Sequence, residues 1–132
     1  MAAISPARAS NAALLRRLLQ IDSVACAANG AVYLVLGGVL DSFLGVPASL
    51  VWPVGALLIV WAAFLWYAAT SLRPEAAWAV IAANIGWAAL SLVVLAGGWL
   101  SPTVAGGVWI ALQALAVAAL AAVQLYALRR AF

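Results

Sequence analysis

Ala76-Ala77-Trp78-Ala79-Val80-Ile81-Ala82-Ala83-Asn84-Ile85-Gly86-Trp87 opens an apolar run that continues without a charge to Trp99. A helix needs about 20 such residues to cross a bilayer, so this stretch decides the solvent in which the chain folds. Asn84 is its conspicuous exception, an amide among side chains that cannot hydrogen-bond. Ala82-Ala83-Asn84 has an echo in Ala27-Ala28-Asn29, and the same offset carries Pro47 onto Pro102. The chain therefore reads as two helical hairpins built around two asparagines. A two-helix unit returns to the side it started from, so duplicated hairpins are expected to be parallel, about an axis along the membrane normal. Chance matching in an alanine-rich sequence is the competing explanation.

Composition agrees with a lipid solvent. Hydrophobic residues make up 70% of the 132 residues and charged residues 7%. Soluble domains hold roughly 45–50% apolar and about 25% charged residues. The length suits one domain, and four spans leave no room for a sizeable soluble part. The net charge of +3 arises from six arginines set against Asp22, Asp41 and Glu75. Cys26 is the only cysteine, which rules out an internal disulfide.

In chain order, residues 1–9 are expected to be flexible. Ser10 or Asn11 is a candidate helix cap. Over 10–20, Leu14, Leu15, Leu18 and Leu19 gather opposite Arg16, Arg17 and Gln20, which predicts a short amphipathic helix at the membrane surface. A signal peptide is the competing reading of this basic-then-apolar start, but the apolar run continues too far for one. Transmembrane helices are expected at about 22–40, 48–71, 75–100 and 103–128. Asp41–Pro47 forms a loop, and Pro53 marks a start or kink in the second helix. Pro74 and Glu75 suit the first turn of the third helix. Ser101 followed by Pro102 predicts a cap and first position for the fourth. The fold class is thus all-α: a polytopic four-helix bundle of two hairpins with an amphipathic N-terminal helix.

The arginines orient it. Arg8, Arg16 and Arg17 precede the first span, Arg73 lies between the second and third, and Arg129 and Arg130 follow the fourth. All fall on one side of a four-pass chain, and the other two loops carry none. The positive-inside rule puts both termini in the cytoplasm. Trp52, Trp99 and Trp109 fall near the outer interface, with Trp66, Tyr67, Trp78 and Tyr126 near the inner one, as an aromatic belt requires.

Polar residues inside the spans are the candidate site. Asp22, Cys26, Asn29, Tyr33 and Gly37 share a face of the first helix at spacings of three and four. Asn84, Trp87 and Ser91 do so in the third, and Gln113 and Gln124 end a stripe in the fourth. Because lipid cannot satisfy them, they are expected to face one another inside the bundle. One reading makes Asn29, Asn84 and Gln113 interhelical glue, worth about 0.6–2 kcal/mol per bond. The other makes Asn29, Tyr33, Asn84, Trp87, Ser91 and Gln113 the lining of a small pocket for a ligand. By depth, Asn29 and Asn84 are expected to meet. Asp22, at the start of the first span, is expected to pair with Arg16, Arg17 or Arg73, or to sit against the positive helix end. Asp41 is expected to cap the loop that follows it. Ala82 and Gly86, together with rows through Gly107 and Ala111 and through Ala114, Ala118 and Ala122, offer small-residue contacts. One row on the fourth helix is spare for a second copy or a partner membrane protein.

The missing residue types exclude much. Without Lys there is no Schiff base or lysine nucleophile. Without His the commonest metal and haem ligand is absent. A lone cysteine cannot hold a cluster, and no carboxylate pair or phosphate loop stands out. No catalysis, cofactor, metal or nucleic acid is expected; membrane lipids are the expected partners.

The Ala-Ala-Asn, Ser-Pro-Thr (Ser101 to Thr103) and Trp-Ile-Ala-Leu-Gln-Ala (Trp109 to Ala114) stretches, set in this hydropathy pattern, resemble small four-pass integral membrane proteins of high-GC bacteria, some of them grouped loosely with DoxX-like four-helix proteins. The resemblance implies a bacterial inner (cytoplasmic) membrane and carries no functional motif. The small multidrug-resistance transporters share the length and helix number, but their membrane-embedded Glu in helix 1 has no counterpart here; Asn29, in that region, cannot exchange a proton. Two functions are left in view. One is a non-catalytic membrane component, either an accessory subunit or a binder of lipid or a small apolar ligand. The other is a small oligomeric transporter or channel whose polar path is lined by Asn29, Tyr33, Asn84 and Gln113.

Overall fold

The computed structural model describes residues 5–98 and 100–132. Residues 1–4 of the expected flexible start, and the place of Trp99 in the aromatic belt, lie outside the described residues. Four helices follow one another: α1 (Pro6–Leu44), α2 (Ala48–Ser71), α3 (Pro74–Ala96) and α4 (Val104–Ala131). Each is long and apolar enough to cross a membrane. Large apolar side chains such as Val35, Val60 and Val104 face outward along the whole bundle. That surface suits lipid and not water.

α1 differs from expectation at both ends. It starts at Pro6 with Ser5 as its cap, whose Oγ accepts the Arg8 N–H at 3.2 Å, so neither Ser10 nor Asn11 caps it. Nothing between Gln20 and Asp22 breaks a helix, and the segments expected at 10–20 and 22–40 are one rod. Leu15 and Leu19 are fully buried in the bundle core, so this part of the leucine face is covered by α2, α3 and α4 and not by the membrane surface. The rod is non-helical only at Leu36, just before Gly37-Gly38, where it kinks. It ends on Gly45 in the left-handed conformation (φ 68°), which shortens the expected 41–47 loop to three residues.

Asp41 caps the next helix, its Oδ2 accepting the Ala48 N–H at 2.9 Å. α2 occupies the expected range and absorbs Pro53 near its start. Pro74 and Glu75 open α3 as expected. α3 stops at Ala96, short of the expected 100, because Gly97-Gly98 follows and Gly98 takes φ 70°. α4 is capped by Thr103, not Ser101, and runs past 128 to Ala131. Thr103 Oγ1 accepts the Gly106 N–H at 3.1 Å and donates to the Phe43 carbonyl at 2.7 Å. Its backbone N–H reaches Leu44 O at 3.1 Å. One residue thus starts α4 and fastens it to the end of α1.

α1 lies against both α2 and α4, α3 lies against α4, and α2 and α3 barely touch. The α1–α2 seam repeats each heptad. Arg16 Nε donates to Ala69 O at 3.2 Å, Ser23 Oγ donates to Ala62 O at 2.7 Å, and Gly30 then meets Gly55. A Cβ on Gly30 would come within 2.7 Å of Gly55 O, so the backbones touch there. One heptad further, the Trp52 ring fills the space that a side chain on Gly37 would need. Such a seven-residue period is the signature of a left-handed antiparallel pair.

Of the expected small-residue rows, Ala114 is buried in the bundle, whereas Gly86 and Gly107 have open space beside them and Ala82, Ala118 and Ala122 are exposed. The main core is Leu15, Leu19, Leu65, Ala68, Ala69, Ala77, Val80, Ile81, Ala127 and Leu128. It sits in the half of the bundle that carries the arginines, and the half towards the α1–α2 and α3–α4 loops is less filled.

Candidate functional site: a closed polar ring and an open apolar cavity

Two regions collect the intramembrane polar side chains. The first is a ring of three, one each from α1, α3 and α4. Asn84 Nδ2 donates to Asp22 Oδ2 at 2.9 Å and to Gln124 Oε1 at 3.1 Å, and Gln124 Nε2 donates to Asp22 Oδ2 at 3.0 Å. Cys26, one turn along α1, donates its S–H to the other carboxylate oxygen at 3.5 Å. Asp22, Asn84 and Gln124 are all buried, Gln124 completely. Local sequence explains each position. Alanines flank Asn84 and Gln124 on the same faces: Ala77, Ala88, Ala121 and Ala127 are buried, and their small size helps α4 lie close against α1 and α3, while the Asn84 and Asp22 side chains bridge from α3 to α1. No buried side-chain polar atom among the described residues lacks a partner. The ring is therefore satisfied by the protein itself, as a stable buried network must be.

This differs from the sequence expectation in three ways. Asn84 makes interhelical hydrogen bonds, but it meets Asp22 and not Asn29. Its partner on α4 is Gln124 and not Gln113. Asp22 is not held by Arg16, whose guanidinium reaches Ala69 O; it is a member of the interior cluster. Asn29 lies about two turns along α1 from Asp22, part-buried, with no side-chain hydrogen bond among the described residues.

The second region is a cavity of about 250 Å³ towards the loop end, partly open and lined from all four helices. Tyr33, Trp87, Ser91 and Gln113 of the expected set line it, and Asn29 and Asn84 do not. The walls are otherwise apolar: Leu50, Val51 and Val54 from α2, Leu90 and Val94 from α3, and Trp109 and Ile110 from α4. Trp109, not in the expected set, donates its indole N–H to Tyr33 Oη at 2.8 Å and so holds the phenol at the rim between α1 and α4. The Ser91 hydroxyl and Gln113 amide have no protein partner among the described residues. From Asp22 to Tyr33, or from Gln124 back to Gln113, the rise along the helix is about 16 Å, so ring and cavity are separate places. No group of three or more His, Cys, Asp or Glu among the described residues is arranged to hold a metal ion.

The ring can tie helices together but offers no space for a ligand. The cavity offers space, aromatic walls and a few unpaired polar groups, which is the usual make-up of a small-molecule site. Comparison with known proteins adds nothing to this geometry: no family model, curated protein or solved structure matches the chain.

Proposed function

We propose that this chain is a non-catalytic membrane component that holds a lipid chain or a small apolar ligand in the cavity between α2 and α3. The observation that carries the reading is the cavity itself: some 250 Å³, apolar almost throughout, partly open, with walls from α2 and α3, two helices that barely meet. An opening between these two helices would face the acyl region of a bilayer, so a hydrophobic molecule would reach the cavity without crossing water. The arginine distribution supports both termini in the cytoplasm, the resemblance to small four-pass proteins of high-GC bacteria supports a bacterial inner membrane, and the short connections after α1 and α3 fit a description as two hairpins. The exposed small residues Ala118 and Ala122 on α4 support an accessory role beside a second copy or another membrane protein.

The transport reading has less support. A path through Asn29, Tyr33, Asn84 and Gln113 would have to pass the Asp22–Asn84–Gln124 ring, whose groups are spent on one another and closed to solvent. Photolabelling tests the proposal. A diazirine-bearing hydrocarbon chain in nanodiscs should form adducts on the Trp87–Val94 and Trp109–Gln113 segments, and Val94→Trp, which fills the cavity, should remove them. Adducts spread evenly over the lipid-facing surface and unchanged by Val94→Trp would rule the reading out.

A further inference from the structure

Resting on that reading, we propose that the cavity selects an uncharged amphiphile, a lipid whose polar end is built of hydroxyl and carbonyl groups as in a diacylglycerol, over a phospholipid. The lining carries no Arg, Lys, Asp or Glu. All six arginines belong to the opposite end of the bundle. The one charged residue at this end is Asp41, an acid whose Oδ2 is already committed to the Ala48 N–H. A phosphate entering here would leave water and find no cation, which is the unfavourable burial of an unpaired charge.

The polar groups that do line the cavity suit a neutral head. Tyr33 Oη accepts the Trp109 indole N–H at 2.8 Å, which leaves its own O–H to donate. Ser91 adds a hydroxyl, able to donate and accept, and Gln113 presents an amide N–H₂ beside a carbonyl. Neither has a protein partner among the described residues. A glycerol hydroxyl next to an ester carbonyl offers the complementary donor and acceptor. Its hydrocarbon chains then leave along the apolar α2–α3 seam, between Leu50 and Val54 on one side and Leu90 and Val94 on the other.

The experiment uses the full chain in phosphatidylcholine nanodiscs and three probes with the same diazirine-bearing chain: a diacylglycerol, a phosphatidylglycerol and a plain hydrocarbon. Adducts on the cavity segments are counted by mass spectrometry. The diacylglycerol should label them about tenfold more than the phosphatidylglycerol, a difference worth one decade in affinity. Gln113→Leu should bring that ratio towards one while the plain hydrocarbon still labels the cavity segments, and Ser91→Ala should lower the ratio in part. Equal labelling by the two lipids, or a ratio insensitive to both substitutions, would overturn the selection of a neutral head while leaving an apolar site in place. Absence of cavity adducts from all three probes would overturn the site and the selection together.

Discussion

The ring and the cavity are built from the same kinds of side chain and reach opposite outcomes. Asn84 and Gln124 spend their amides on each other and on Asp22, whereas Gln113, on the same face of α4 as Gln124, has no protein partner among the described residues. The difference lies in how closely the opposing helices approach. At the ring, α4 packs against both α1 and α3, and Asn84 reaches Asp22 across the centre of the bundle. At the cavity, α2 leans on α1 through Gly30 and Gly55, α3 leans on α4, and the two pairs part. If the two hairpins were related by a two-fold axis, the α1–α4 contact would recur as an α3–α2 contact. That contact is nearly missing, and the cavity occupies its place. A polar group in a membrane bundle is therefore structural or available according to the neighbouring seam, not according to its own chemistry.

Stability measurements should separate the two regions. The largest effect is expected for Asn84→Leu, which removes the two bonds that join α3 to α1 and α4. Reversible unfolding in mixed micelles should show a loss of about 2–3 kcal/mol, and a cycle with Gln124→Leu should reveal strong coupling between the two amides. A loss no larger than that of an exposed alanine would mean that the ring does not staple the bundle. Tyr33→Phe removes one bond, at the cavity rim, and should cost about 0.5–1 kcal/mol by the same assay; a larger loss would make the rim as structural as the ring. Gln113→Leu should change stability by no more than about 0.5 kcal/mol, since no protein group depends on it. A marked destabilisation there would show that Gln113 has a partner and is not held ready for a ligand.

Much of the fold was legible. Four apolar runs, the Pro74-Glu75 start of α3 and the range of α2 follow from hydropathy and turn chemistry. A signal for the α1–α2 seam is also present: Arg16, Ser23, Gly30 and Gly37 stand one heptad apart, as do Gly55, Ala62 and Ala69. Three- and four-residue spacings do not reveal it. The site was half legible. Helical spacing correctly put Asp22, Cys26, Asn29 and Tyr33 on one face of α1, and Gln113 and Gln124 at the two ends of one stripe on α4. It did not say which member of each stripe lies level with Asn84. That depends on the relative height of the helices, which Thr103 sets at one end by tying α4 to Phe43 and Leu44, and the core around Leu15 and Leu19 sets at the other. With that register, Asp22 and Gln124 come level with Asn84, while Asn29 and Gln113 lie further towards the loops.

The stretch around Asn84 thus divides the account. Sequence by itself determined that it lies in an apolar helix and that its amide needs a partner, because backbone periodicity and the poverty of lipid as a hydrogen-bonding solvent are local facts. Only the tertiary structure decided that the partners are Asp22 and Gln124, and that Gln113 is left facing an open cavity. Those outcomes depend on distances between helices far apart in the chain, which small changes in register and tilt control and which no local pattern encodes.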